Sequence, residues 1–125
     1  MQQTENFGIG TDIESIDRFR KLNLNDDNGF LNKVFTKNEL DYCFSKKEPA
    51  SHLSARYAGK EAVIKALSSI GKANLDYKNV EIFKNEEGVP MVRINDIDGG
   101  KIKVYVSLSH CEDKAIAFAI VMEML

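Results

Sequence analysis

Residues Pro49–Ser69, PASHLSARYAGKEAVIKALSS, decide the architecture. The proline opens the stretch where a helix tolerates a missing N–H, and no further proline interrupts it. At about 100° per residue, Leu53, Tyr57, Ile64 and Leu67 fall within one apolar stripe. Ala58, Ala62 and Ala66 form a row on the opposite side, where small side chains let another element pack closely. The spacing predicts one long helix with two packing faces.

Upstream, Phe7-Gly8-Ile9-Gly10-Thr11-Asp12-Ile13 alternates with period two and reads as a strand. Asp12 lies near its end, on a face otherwise made of glycines that leave space for a ligand. Ile13, Ile16, Phe19 and Arg20 then sit at helical spacing, which predicts a short helix from about Glu14 to Leu22. Asn23 to Gly29 is polar and turn-rich and reads as a loop. Thr36 and Glu39 form a capping box that opens a short helix towards Phe44. Downstream, Val80–Lys84 and Met91–Ile94 read as a hairpin joined through Asn85–Gly88. A turn at Asp96–Gly100 leads into an alternating strand over Lys101–Ser109. After a further turn, Ala115–Met122 is a nearly continuous apolar strand, expected to be buried on both faces. The class is α+β: an antiparallel sheet packed against one long and several short helices, in one domain spanning 1–125.

Composition bounds what such a chain does. Of 125 residues, 43% are apolar and 29% charged, which excludes disordered and low-complexity classes. The net charge of -2 argues against a nucleic-acid binder that works by neutralising phosphates. Cys43 and Cys111 lack metal-binding spacing and read as reduced, small packing residues. No signal peptide is visible, and the longest apolar run is far too short to span a bilayer. A soluble cytoplasmic protein is expected, with neither nucleic acid nor membrane as a partner.

Three places could carry chemistry: Asp12; the helix residues Arg56, Lys60, Glu61 and Lys65; and His110, which follows a strand end. With Leu53 as zero, Glu61 falls at about 80° and Lys65 at about 120°, at the edge of the apolar stripe, while Lys60 falls at about 340°, inside it. A carboxylate at the border of a core can hold a metal and remain reachable. The same Glu–Lys spacing is also that of an ordinary surface ion pair, worth a few tenths of a kcal/mol. Lys60 can snorkel past its apolar neighbours. Asp12 can cap the following helix, and His110 can satisfy a turn. His52 reads as surface.

Taken together, Gly8-Ile9-Gly10-Thr11-Asp12-Ile13, Arg56-Tyr57-Ala58-Gly59-Lys60-Glu61-Ala62-Val63-Ile64-Lys65-Ala66 and Ser107-Leu108-Ser109-His110 resemble the three signature blocks of the holo-acyl-carrier-protein synthases. Phe35-Thr36-Lys37-Asn38-Glu39-Leu40 and Gly88-Val89-Pro90 are similar to two further segments of that family, in the same order. The resemblance spans about Phe7 to Met122. It implies a 4'-phosphopantetheinyl transferase fold and the transfer of phosphopantetheine from coenzyme A to a serine of an apo acyl carrier protein, releasing adenosine 3',5'-bisphosphate. It further implies a homotrimer with coenzyme A bound between subunits.

Carried over residue by residue, the resemblance makes Asp12 and Glu61 the magnesium ligands and Lys65 the group that neutralises the departing phosphate. Glu61, or a water bound to the metal, is the candidate base for the serine hydroxyl. His110 is an implied coenzyme A contact from the adjoining chain, Lys60 and Arg56 are implied further coenzyme A phosphate or helix-anchoring contacts, and Arg18, Arg20 and Lys21 an implied docking site for the acidic carrier. Ser68–Lys72 stands where the family has a glycine-rich loop, and Gly59 replaces an alanine. Another magnesium-dependent phosphate enzyme, or a binding module using Glu61 and Lys65 as a surface pair, remain the competing readings. Residues 30–65 carry 7 basic and 4 acidic side chains, so a near-neutral chain concentrates positive charge where these candidates lie.

Overall fold

The computed structural model describes residues 5–22, 29–72, 75–95 and 101–124. In chain order they form β1 (Glu5–Ser15), α1 (Ile16–Arg20), α2 (Gly29–Val34), α3 (Lys37–Phe44), α4 (Pro49–Ser69), a 3-10 turn (Tyr77–Asn79), β2 (Val80–Lys84), β3 (Pro90–Ile94), β4 (Ile102–His110) and β5 (Lys114–Met124). The strands make two antiparallel sheets, a three-stranded one ordered β1-β5-β4 and the separate hairpin β2-β3.

Helix α4 has the predicted bounds and crosses the inner face of the larger sheet. Ala58, Ala62 and Ala66 are fully buried, and the element they admit is β1. A Cβ on Gly10 would stand 2.0 Å from the Ala62 carbonyl oxygen, and one on Gly8 would stand 2.2 Å from that of Ala66. The glycine face of β1, expected to leave room for a ligand, instead leaves room for the α4 backbone. Gly59 does the same for the hairpin, since a Cβ there would meet Ile82 Cδ1 at 2.4 Å. That contact offsets the usual penalty of about 0.5–1 kcal/mol for glycine inside a helix.

Leu53, Val63 and Leu67 on α4 are at most 1% exposed, and each such side chain stabilises the fold by about 1.5–3 kcal/mol. Ile16, Phe19, Leu31, Val34 and Phe35 pack around the N-terminal half of α4, while Val80, Ala117, Ala119 and Val121 pack around its C-terminal half. The capping box of α3 is complete: Glu39 N–H donates to Thr36 Oγ1 at 3.2 Å and Thr36 N–H donates to Glu39 Oε1 at 2.9 Å.

Several expectations change. β1 runs on to Ser15, because β5 pairs with it as far as Lys114, and so α1 is shorter than expected. Helix α2 was not foreseen. The expected turn at Asp96–Gly100 and residues 23–28 of the expected loop lie outside the described residues. Strand β5 is buried on one face only: Ala115, Ala117, Ala119 and Val121 face α4, whereas Ile116 and Phe118 are 45% and 44% exposed. With Phe7, Ile9, Ile13 and Tyr105, they make the outer face of the sheet broadly apolar. Cys43 packs in the core as expected, but Cys111 is exposed. Among the described residues, no helix is long and apolar enough to cross a membrane.

Candidate functional site

Alternation along β1 puts Asp12 and Glu14 on the face that meets α4, where Glu61 projects. One carboxylate oxygen from each of the three lies within 4.8 Å of the others. Asp12 Oδ1 accepts from Lys65 Nζ at 3.2 Å, and Lys65 also donates to the Thr11 carbonyl at 3.1 Å. The ion pair Lys65 makes is therefore with a distant carboxylate, not with Glu61 one turn away on its own helix. Asp12 Oδ2 is buried and, among the described residues, has no hydrogen-bond partner.

Glu14 was missed by the sequence reasoning, although its two-residue spacing from Asp12 on a strand was the available signal. Its carboxyl is pushed up to about 8, first by burial, then by the hydrogen bond and charge of Asp12, with Arg18 opposing and Glu61 adding to the rise. Three converging carboxyls and a buried oxygen without a donor suit a hard divalent cation such as magnesium, which takes oxygen ligands and would displace the proton that Glu14 keeps. Tyr77 adjoins the cluster. Burial first, then hydrogen bonds with Tyr57 and Glu61, hold its hydroxyl protonated well above the ordinary tyrosine range.

A second group lies around the N-terminal half of α4. Arg56, His52, Lys84 and His110 line a cavity of about 250 Å³ with Ser51, Gly88 and Pro90. Arg56 is 2% exposed, its guanidinium stands 4.1 Å from the Tyr42 ring centroid, and its Nε has no partner. Lys46 also stands over Tyr42, at 4.6 Å. Burial alone would push the Tyr42 hydroxyl up, but Lys84, Arg56 and Lys46 pull it below its ordinary value. His52, expected on the surface, is half-buried here, and burial followed by Arg56 and Lys84 lowers its pKa. Among the described residues none of Arg56, Lys84, Lys46, His52 and His110 takes part in an ion pair. Arg56, Lys84 and Lys46, cations without a counter-charge around a concave surface, suit a phosphate-bearing ligand.

Lys60, expected to contact the cofactor, is fully buried. Its ammonium meets Glu39 Oε1 at 2.8 Å and donates to the Tyr77 and Val80 carbonyls at 2.9 and 2.6 Å. All three donors are used inside the protein, so none reaches a ligand. Burial lowers its pKa, while Glu39 holds the charge in place.

Of the expected docking residues, Arg20 is bound by Asp17, by Glu48 at 2.8 Å and by the Glu112 carbonyl at 3.1 Å, so its charge is spent within the chain. Lys21 is exposed and, among the described residues, unpaired. Arg18 is half-exposed and contacts Glu14.

A carboxylate cluster with an adjoining lysine and a separate cationic pocket define a protein equipped to handle a phosphate-bearing ligand. The comparisons narrow that class. The family model of the ACPS, 4'-phosphopantetheinyl transferase superfamily, matches residues 8–119. The chain is 42% identical over 114 residues to a holo-[acyl-carrier-protein] synthase of Thermodesulfovibrio yellowstonii, covering 91% of this chain and 96% of that one. It is 45% identical over 118 residues to the holo-[acyl-carrier-protein] synthase of Chlamydia muridarum, covering 91% and 93%. The structure of a holo-(acyl-carrier-protein) synthase from Bacillus anthracis in complex with CoA (3',5'-ADP) superposes with a TM-score of 0.73 at 26% identity, covering 93% of this chain and 96% of that one. The chain belongs to the ACPS family of 4'-phosphopantetheinyl transferases.

Proposed function

We propose that this chain transfers the 4'-phosphopantetheine group of coenzyme A to a serine of an apo acyl carrier protein, with magnesium, giving the holo carrier and adenosine 3',5'-bisphosphate. The observation that carries the reading is the convergence of Asp12, Glu14 and Glu61 beside Lys65. Asp12 and Glu61, joined by Glu14, would hold the magnesium, which when bound offsets charge on the coenzyme A pyrophosphate.

In the reaction a bond forms between the carrier serine oxygen and the phosphorus of the pantetheine phosphate, and the pyrophosphate P–O bond breaks. Such a transfer asks the protein mainly for positioning and charge stabilisation. Glu61 accepts the serine proton. Lys65, about half exposed and, among the described residues, tethered through Asp12 and the Thr11 carbonyl alone, has the freedom to turn towards the departing phosphate. Arg56 and His110, with His52 and Lys84 beside them, receive phosphates of coenzyme A. Lys60 takes no direct part. Arg18 and Lys21 present the docking charge for the acidic carrier.

The site is completed between subunits of a homotrimer. Two observations support this. Arg56 and Glu61 lie five positions apart on α4, which turns them about 140° away from one another, so one chain does not aim both at one ligand. The outer sheet face also exposes Phe7, Ile9, Ile13, Tyr105, Ile116 and Phe118 together, the kind of apolar surface that a partner covers. The protein works as one domain in the cytoplasm, in keeping with its two unpaired cysteines.

The test is to incubate the protein with coenzyme A, magnesium and apo acyl carrier protein and to weigh the carrier. Its mass rises by one phosphopantetheine group. In Glu61→Gln the fold is kept and most of that conversion is lost. No mass change with any of several carriers refutes the reading, and full activity of Glu61→Gln removes Glu61 from it.

A further inference from the structure

We infer that Arg18 couples docking of an acidic carrier on α1 to cation binding at the Asp12–Glu14–Glu61 cluster, by exchanging Glu14 for a carboxylate of the carrier. The inference rests on the metal and docking roles proposed above and concerns how the two communicate.

Glu14 lies near the end of β1, and Arg18 lies four residues on, in the short helix that continues it. Arg18 Nη1 stands 3.5 Å from Glu14 Oε1. The guanidinium carbon is 5.7, 5.1 and 5.5 Å from the ring centroids of Phe19, Phe30 and Tyr57. Aromatic rings hold a planar cation by its face and leave the N–H groups at its edge for carboxylates. The Arg18 side chain is 53% exposed, whereas that of Glu14 is 13% exposed. One donor fork therefore meets a nearly buried acid on one side and solvent on the other.

The Arg18–Glu14 contact is single and long, where a strong arginine–carboxylate pair is short and bidentate. It is an exchangeable contact. Arg20, two residues further along, differs: two carboxylates and a backbone carbonyl hold it. Only the first of these arginines is poised to change partners.

The consequence falls on Glu14, whose oxygen shares the 4.8 Å cluster with Asp12 and Glu61. While Arg18 engages Glu14, a guanidinium and a divalent cation compete for one carboxylate and repel each other. A carrier carboxylate that takes up Arg18 removes the competitor and leaves the oxygen to the cation. By linkage the cation tightens the carrier by the same factor. Exposed ion pairs are weak in water, so the expected factor is about two- to five-fold.

The experiment titrates Mn²⁺ into the full chain by calorimetry, alone and saturated with an apo carrier whose target serine is alanine, so that nothing turns over. The Mn²⁺ dissociation constant is expected to fall about two- to five-fold with the carrier bound. Arg18→Met and Glu14→Gln each bring the ratio to one. Lys21→Met removes a docking charge that is not paired with Glu14, so it weakens carrier binding and leaves the ratio as it was. An equal Mn²⁺ affinity with and without carrier in the unmodified chain overturns the coupling and leaves both binding reactions standing. A ratio that persists in Arg18→Met also overturns it. A chain that binds no Mn²⁺ or no carrier overturns the proposed function as well.

Discussion

Replacing Lys60 by methionine keeps most of the aliphatic stem and removes one charge from the core. Family resemblance makes Lys60 a phosphate contact, whereas the structure places it beyond reach of any ligand, and the two accounts predict different losses. Lys60 and Glu39 are 0% and 1% exposed and 2.8 Å apart. Removing one member of such a pair strands the other, at a cost of about 3–5 kcal/mol. Glu39 would not be wholly stranded: Oε2 still accepts from Ile82 N–H at 2.8 Å and Oε1 from Thr36 N–H at 2.9 Å. The Tyr77 and Val80 carbonyls would lose their donor, however, and each unsatisfied group costs about 1–3 kcal/mol. We therefore expect a loss of about 3–5 kcal/mol, read as a fall in melting temperature of about 10–20 °C for a chain of this size. Lys60→Met/Glu39→Gln removes the stranded charge and recovers part of that loss. The assay pairs thermal unfolding with the KM for coenzyme A, measured well below the melting point. Destabilisation with an unchanged KM supports the buried role. A KM raised tenfold or more at unchanged stability would refute it and return Lys60 to the ligand.

Glu14 sets a pH dependence. Its carboxyl is raised from the ordinary 4.5 to about 8, so the folded chain keeps a proton that the unfolded chain has lost. The resulting stability is fully present below about 4.5 and is lost as pH rises through about 8. Between pH 7 and 8.5, above the titration of His52, the melting temperature without divalent ions falls with pH, and magnesium raises it more at 8.5 than at 7. A melting curve flat across that window in both conditions contradicts the crowded cluster. His110→Ala raises the KM for coenzyme A about tenfold, the loss of one charge-assisted hydrogen bond, with kcat little changed; steady-state kinetics decide. Phe118→Glu puts a charge on the apolar outer face and leaves the monomer folded, because Phe118 is 44% exposed there. Light scattering then reports a mass about one third of that of the unmodified protein, and an unchanged mass excludes that face from the assembly.

The elements specified by local chemistry were legible. Proline at its start delimits α4, Thr36 and Glu39 announce α3, and Asn85–Gly88 announces the hairpin. Sidedness was less legible. On β1 the glycine face reads as space for a ligand, yet it is the inner face, because the α4 backbone lies against it, and Phe7, Ile9 and Ile13 stand outside. That contact joins residues more than fifty positions apart and leaves no periodic trace. The nearly continuous apolar run of β5 misled for a related reason, since apolar side chains on its outer face read the same whether the chain's own core covers them or not. Lys60 shows the converse. Its angle inside the apolar stripe reads as a stem that snorkels outward, but the ammonium stays inside because its counter-charge comes from the capping box of another helix, a pairing that no spacing within α4 reveals. Glu14 was overlooked because the helix was expected to begin there. Pairing of Ser15 with Lys114 keeps the strand going and turns Glu14 towards Asp12.

The same helix that organises the core also divides the chemistry. Its close approach to β1, possible only over Gly8 and Gly10, brings Glu61 within reach of Asp12 and Glu14 and lets Lys65 bond to the strand. Five residues earlier, Arg56 turns to the opposite side, into a pocket finished by the hairpin and the end of β4. A rigid helix fully packed on both sides cannot rotate to bring these groups together. On the proposed function, a ligand long enough to need both would meet them on different copies of the chain. The uncovered sheet face points to the same conclusion, because an assembly that buries Phe118, Ile116 and Ile9 is also one that can set the acid cluster of one copy against the cationic pocket of another.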